Sequence, residues 1–244
     1  MNLVIDIGNT AVKMAIFDDG RMVEASHAPM CEVASALTKM DAANRCQRGI
    51  VCSVAGECVA IDKFCDECGF PVMRFGADTP MPVVNEYRSP QTLGLDRIAA
   101  VVGARAAMGQ KNALVVDAGS CVTYDFVTAD GRYKGGNIAP GMAMRFRAMH
   151  EHTARLPLVT TDGDVPQLGY DTLTAMRSGV VMGMVNEIRG YVHYLYNIYG
   201  ECHVMLTGGD SALLKKYFND TADHDAYLVL RGLDYILRYN ENNV

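Results

Sequence analysis

Three glycine-containing turns carry the residues best suited to chemistry. Asp6-Ile7-Gly8-Asn9-Thr10 and Asp117-Ala118-Gly119-Ser120-Cys121 each set an aspartate two positions before a glycine, with short polar side chains after it. Thr207-Gly208-Gly209-Asp210 is the third. A turn of glycine and small polar residues points backbone N–H groups outward with no Cβ in the way, which makes a cradle for phosphate oxygens. The neighbouring aspartates suit hard cations, directly or through water, because the Mg²⁺ of a nucleotide takes few protein ligands and keeps several waters. Lys13, just beyond the first turn, adds a point charge toward the phosphates. Gly208 and Gly209 would let a base or ribose approach the backbone. Each turn alone reads more readily as a structural hairpin or helix entry; three in this order favour a polyphosphate.

A different kind of site lies in Tyr87-Arg88-Ser89-Pro90-Gln91-Thr92-Leu93-Gly94-Leu95-Asp96-Arg97. Ser89 and Pro90 look like an N-cap and a first helical residue. Asp96 and Arg97 precede the apolar run Ile98 to Val102, so both are expected to be partly buried. They are either a structural ion pair or a carboxylate that takes a hydroxyl proton beside a guanidinium that anchors an anion. An ordinary aspartate is a weak base at neutral pH. Phosphoryl transfer tolerates one, because its loose transition state releases the nucleophile's proton late.

The elements that must hold these residues are those of an α/β chain. Leu3 to Ile7, Ala11 to Phe17 and Arg21 to Ala25 read as a meander with a turn at Asp18-Asp19-Gly20. Helix-like Glu32 to Met40 and Glu57 to Cys68 then alternate with strand-like Gly49 to Ser53 and Pro71 to Phe75. A second meander comes in mid-chain: Ala113 to Val116, Val122 to Val127, a turn at Asp130-Gly131, and Tyr133 to Ile138. A long helix is predicted from about Asp171 to Tyr199. Leu173, Met176, Val180, Met184, Ile188, Tyr191, Leu195 and Ile198 form its apolar stripe, Gly179 and Gly183 have close-packing spacing, and Gly200 can end it. His203 to Thr207 and Tyr227 to Leu230 read as strands. The two meanders begin about half of the 244 residues apart and repeat the same strand-turn-strand context, which predicts two like-folded halves facing each other across a cleft.

Composition narrows the function classes. Half of the residues are hydrophobic and 20% are charged, which suits a packed globule rather than a disordered chain. The net charge of −6, without a basic run, argues against nucleic acid as a partner. No apolar run approaches the roughly 18 residues of a membrane span, and no basic n-region opens the chain, so no membrane partner and a cytoplasmic location are expected. The eight cysteines read as reduced thiols, and the Cys65-x-x-Cys68 pair lacks the second pair a zinc site needs. His150 and His152, two apart, read as ordinary polar residues.

The sequence resembles the type III pantothenate kinases, a branch of the superfamily of acetate and sugar kinases, Hsp70 and actin. The resemblance covers essentially the whole chain. It rests on Asp6-x-Gly8-Asn9-Thr10-x-x-Lys13, Tyr87-x-x-Pro90-x-x-Leu93-Gly94-x-Asp96-Arg97, Asp117-x-Gly119-Ser120 and Gly135-Gly136-x-Ile138-x-Pro140-Gly141. Thr172 ahead of Ser178-Gly179, Thr207-Gly208-Gly209 and Leu230-x-Gly232-Leu233 complete it. Gly94-x-Asp96-Arg97 is the family-specific part. The resemblance implies two ribonuclease H-like α/β halves in tandem, 1–110 and 111–244, facing across a nucleotide cleft as in actin-like ATPases. The implied reaction is ATP-dependent phosphorylation of pantothenate, the first committed step of coenzyme A synthesis, with Asp96 as proton acceptor. Asp6, Ile7, Gly8, Asn9, Thr10, Ala11, Val12 and Lys13 would contact ATP, together with Ser120, Gly208 and Gly209. Tyr87, Gly94, Leu95, Asp96 and Arg97 would bind pantothenate, with Thr172 completing that pocket from the other subunit of a homodimer. Asp117 would hold a monovalent cation, K⁺ or NH₄⁺, alongside Mg²⁺ with ATP.

Three positions depart from the family pattern: Ser120 and Cys121 where Thr-Ala is common, and Asp171 where Asn is common before Thr172. None removes a catalytic group. The remaining alternatives are another small-molecule kinase of the superfamily, which Gly94-x-Asp96-Arg97 disfavours, and a non-catalytic nucleotide-binding or regulatory protein, in which Asp96 would have no task.

Overall fold

The computed structural model describes residues 1–54, 56 and 58–241; Glu57, an expected helix start, and the last three positions of the expected second half lie outside the described residues. The chain forms two compact units. The first comprises Met1–Gln110, Gly131–Tyr133 and the chain from Tyr227 onward, and the second Lys111–Asp130 and Lys134–Ala226.

In the first unit, β1 (Asn2–Ile7), β2 (Val12–Asp18) and β3 (Arg21–Ala28) make the expected antiparallel meander. α1 (Val33–Lys39) and α2 (Ala42–Arg45) lead to β4 (Arg48–Ser53), which pairs in parallel with β1. α3 (Val59–Glu67) leads to β5 (Val72–Arg74), giving the sheet order β3-β2-β1-β4-β5. β1 is buried along its whole length, as the central strand of a sheet covered on both faces must be. β6 (Val84–Asn85) pairs in parallel with Arg132 and Tyr133, and α4 (Leu95–Met108) comes next in the chain.

β7 (Ala113–Ala118), β8 (Cys121–Val127) and β9 (Arg132–Pro140) are the second meander. α5 (Met142–Glu151), α6 (Thr172–Tyr199), β10 (His203–Thr207), α7 (Ser211–Lys215) and β11 (Ala222–His224) complete the second unit, whose strand order is β9-β8-β7-β10-β11. Each unit thus has the same arrangement: the first strand of a meander at the centre, with two parallel strands added beyond it. Each has its own apolar core. Among the described residues no helix is long and apolar enough to cross a membrane.

Several expectations need correction. Tyr227 to Leu230 is not a strand but the approach to and first turn of α8 (Leu228–Glu241), in which Leu228, Val229, Gly232, Leu233, Ile236, Leu237 and Asn240 are buried. A four-residue apolar window cannot separate the two periods; the helical one appears only over three turns. The expected second half includes this segment, whereas its contacts lie with the first unit. Ser89 and Pro90 open only a single 3-10 turn, Pro90–Thr92, without a side-chain cap, and Leu93 returns to extended backbone before α4 begins. On α6, Leu173 and Ile198 are exposed, while Val181 and Val185 join the buried face. Gly179 and Gly183 have no close neighbour within the chain, so their spacing serves no packing contact there.

α8 reaches the first unit through a glycine crossing. A Cβ on Gly232 would collide with the Ala99 carbonyl, and one on Gly103 with the Leu228 carbonyl, so α4 and α8 approach backbone to backbone. Asp234, almost wholly buried, accepts from Asn2 Nδ2 at 2.9 Å and from Arg238 Nε at 2.8 Å, fastening α8 to the start of β1. Overpacking of this kind costs about 1–3 kcal/mol. Gly232→Ala should therefore lower the unfolding free energy by about 2–3 kcal/mol and the melting temperature by roughly 5–10 °C. Gly76→Ala, where nothing lies within 4 Å of an added Cβ, is the control. Equal melting of the two variants in circular dichroism would refute the crossing.

Candidate active site

The first turn lies at the carboxyl ends of two parallel strands, where α/β sheets bind ligands. Asp6 is buried near the end of β1, paired in register with Lys13 of β2 on one side and Cys52 of β4 on the other. The Gly8 N–H donates to the Ala11 carbonyl at 3.2 Å and closes the loop, leaving Asn9 and Thr10 exposed at its tip. Cys52 is wholly buried, and its thiol is pushed far above the ordinary range, first by burial and then by the carboxylates of Asp6 and Asp96. α4 packs against β4, the strand that carries Cys52.

The head of α4 is held by short contacts. Asp96 folds back on its own helix, accepting the Arg97 N–H at Oδ1 at 2.8 Å. A Cβ on Gly94 would fall 2.6 Å from the same oxygen, so only glycine leaves the carboxylate this place. Arg97 is 5% exposed, and its guanidinium carbon lies 5.6 Å from the centroid of the Tyr87 ring. This is cation–π distance, and burial strengthens such a contact. The Tyr87 ring stacks on Tyr133 with centroids 6.2 Å apart, and its backbone N–H donates to Asn85 Oδ1 at 3.0 Å. Tyr87, Gly94, Asp96 and Arg97 are thereby brought together, with Leu95 half-buried between them in sequence.

The second unit gathers a separate group. Asp117 is the penultimate residue of β7, in register with Thr207 of β10 and Thr123 of β8. The two-residue turn Gly119-Ser120 is closed by the Gly119 N–H donating to Cys121 O at 2.9 Å, and the Ser120 carbonyl accepts from Gly141 N–H at 3.2 Å. Ser120 itself is exposed. Gly208 is buried at φ +91°, where a Cβ would run into Asp117 Oδ1 and the Ala118 carbonyl. The Asp210 N–H donates to the same Ala118 carbonyl at 2.9 Å, while burial pushes the Asp210 carboxyl up. Gly209 is exposed with nothing within 4 Å of an added Cβ, so its backbone is open to a ligand. Thr172, also exposed, is the first residue of α6, whose N-cap Asp171 accepts the Thr174 N–H at 2.8 Å and is held below the ordinary carboxylate range by it.

Sequence reasoning missed Cys52 and Asn85. Nothing in their local sequence marks them; each gains its position from strand pairing or from a turn contact. Among the described residues no group of three or more His, Cys, Asp or Glu side chains could hold a metal ion by itself. Pairs of oxygen donors beside glycine turns suit a cation that keeps water or phosphate ligands.

The model of the type III pantothenate kinase family matches residues 2–194. The chain is 44% identical to the type III pantothenate kinase of Phocaeicola vulgatus over 99% of each protein. Among solved structures it is similar to a Campylobacter jejuni protein assigned to the Baf family of transcriptional activators, with TM-score 0.68 and 23% identity over 98% of this chain and 99% of that one. It is also similar to a Listeria monocytogenes protein assigned as an N-acetylmannosamine kinase, with TM-score 0.58 and 15% identity over 99% of each. At such identities the two structures show the fold alone, the two-domain α/β architecture of sugar kinases and actin-like ATPases.

The burial of Cys52 yields a chemical prediction. The thiolate is the reactive species, and here it is disfavoured by burial and by two carboxylates. At pH 8 an aromatic disulfide reagent should modify the exposed Cys31 and Cys121 and leave Cys52 unmodified until denaturant is added. Peptide mapping showing Cys52 labelled in the native protein would overturn this.

Proposed function

Because the chain belongs to the type III pantothenate kinases, its reaction is the ATP-dependent phosphorylation of pantothenate in coenzyme A synthesis, and we propose that Asp96 accepts the proton of the attacking hydroxyl. The hydroxyl oxygen bonds to the γ-phosphorus, the bond from that phosphorus to the bridging oxygen breaks, and ADP leaves. In a loose transition state the proton departs late, so a carboxylate of ordinary basicity serves if it is well placed. The observation that carries the assignment is the position of Asp96, pinned by the Arg97 N–H at the head of α4 beside the buried Arg97 side chain, in a place that only Gly94 leaves open.

Tyr87, Gly94, Leu95 and Arg97 bind pantothenate in this reading. Arg97 meets the substrate carboxylate, and its burial under Tyr87 favours a strong charge-assisted pair. Asp6 to Lys13, Ser120, Gly208 and Gly209 contact ATP. Kinases of this kind use ATP with a divalent metal, here Mg²⁺, and Asp117 is assigned a monovalent cation, K⁺ or NH₄⁺. The Asp117 carboxylate and the adjacent Ala118 carbonyl, both lying where a side chain on Gly208 would otherwise be, fit the hard-oxygen donor set of such an ion. The chemistry these ions supply when bound is neutralisation of charge on the phosphates. A homodimer completes the pantothenate pocket with Thr172 of the partner subunit; the exposed apolar side chains of Leu168, Tyr170 and Leu173 around Thr172 support an interface there.

The test is turnover of pantothenate to its 4′-phosphate with ATP and Mg²⁺, with and without K⁺. Activity is expected to depend on the monovalent cation. Asp96→Asn should lower kcat by about 10²- to 10⁴-fold with ATP affinity unchanged. Retention of kcat within a few-fold would remove Asp96 from the role. Thr172→Val should raise the KM for pantothenate more than that for ATP, and equal shifts would count against a shared pocket.

A further inference from the structure

A short chain of hydrogen bonds in the second unit runs from a surface histidine to the glycine that abuts Asp117. Ser211, the first residue of α7, is wholly buried; its Oγ lies 2.5 Å from the Gly208 carbonyl oxygen and 2.9 Å from His224 Nε2. A carbonyl has no proton to give, so a 2.5 Å approach between two oxygens requires the hydroxyl hydrogen between them. Ser211 therefore donates to Gly208. With its one hydrogen so committed, the hydroxyl accepts from His224, whose Nε2–H is the donor. Neutral His224 with its hydrogen on Nε2 and the imidazolium both meet this requirement.

His224 is well fixed for the task. It ends β11 in register with Leu206 of β10, and the Asp225 N–H donates to the Leu206 carbonyl at 3.0 Å. At the other end of the chain, Gly208 is held at φ +91° with its Cα against Asp117 Oδ1 and the Ala118 carbonyl. Tethering the Gly208 carbonyl inward on Ser211 sets the peptide plane that joins Gly208 to Gly209, and so the direction in which Gly209 is presented.

We propose that His224, acting through Ser211, is a positioning residue for nucleotide binding at the Gly208-Gly209 turn. It touches neither substrate nor reacting atoms. It orients the Ser211 hydroxyl, which fixes the glycine turn beside Asp117. The inference rests on the reading of Gly208 and Gly209 as ATP contacts.

The experiment measures KM for ATP and for pantothenate, kcat and melting temperature in five variants. His224→Ala should raise the ATP KM about 3- to 10-fold, as expected for loss of one hydrogen bond. The pantothenate KM and kcat should stay within about 2-fold, a split that a merely structural loss would not produce. His224→Gln, which carries an amide N–H at similar reach, should restore the ATP KM to within about 2-fold of the parent. In the background of Ser211→Ala, adding His224→Ala should change nothing further, because the two act as one unit. Equal ATP KM values in His224→Ala and His224→Gln, or additive effects of the Ser211 and His224 changes, would overturn the proposal. Gly209→Val separates this failure from that of the underlying reading. An added Cβ there has nothing within 4 Å among the described residues. If it leaves the ATP KM unchanged, the turn is not a nucleotide contact and both ideas fall. If it raises the ATP KM while His224→Ala does not, only the role of His224 falls.

Discussion

The backbone contact between α4 and α8 is the constraint on which the first unit depends. α4 carries Asp96 and Arg97 at its head, and its side toward α8 is lined by Ala99 and Gly103, where Gly232 and the Leu228 carbonyl come close. Dispersion between two backbones in contact is gained only if neither bears a side chain at the crossing. The placement of α4 therefore rests on two glycines with no chemistry of their own, one two turns along the same helix and one, Gly232, far away in sequence. α8 returns to the central strand through Asn2 and Asp234. The first unit thus closes with residues from both ends of the chain, a long-range pairing whose loop-closure cost must be met before its contacts reward it.

The two units use one topology for two chemical ends. In each, an aspartate near the end of the central strand sits beside the first parallel strand: Asp6 with Cys52, and Asp117 with Thr207. Beyond the aspartates the two ends differ. In the first unit β1 gives way to a four-residue loop with polar residues at its tip, and the neighbouring strand contributes a thiol pushed up first by its burial and then by the carboxylates. In the second the turn has two residues and the neighbouring strand runs into Gly208, whose missing side chain leaves room for the Asp117 carboxylate. Repetition explains why the aspartates recur; divergence at the next residues explains why they can be given different tasks.

Much of this was legible in the sequence because turns and alternating apolar runs are local signals. Both meanders, the start of α6 near Asp171 and the Gly94-x-Asp96-Arg97 element were readable from residue types within a few positions. α8 was misread because its opening segment, Tyr227 to Leu230, is apolar in a way that fits either period, and the partner that makes it a helix in place, α4, lies far away in sequence. The roles of Cys52 and Asn85 were invisible for a related reason. Cys52 matters through strand register, and Asn85 through a single side-chain acceptance from the Tyr87 N–H. Neither pairing is encoded by the residue's immediate neighbours.

The net charge of −6 bears on the site in a way that composition alone does not reveal. Asp6 and Asp96 both belong to the first unit, and both substrates of the reaction are anions. Like charges gathered in a partly buried setting oppose one another. Lys13, opposite Asp6 in the sheet register, and Arg97, buried beneath Tyr87, are the cationic side chains the first unit sets among these carboxylates. Two such cations cannot offset two carboxylates, a triphosphate and a carboxylate substrate together. The dependence of the reaction on metal-bound ATP is then a matter of electrostatics: a divalent cation on the phosphates offsets negative charge that these two side chains leave standing.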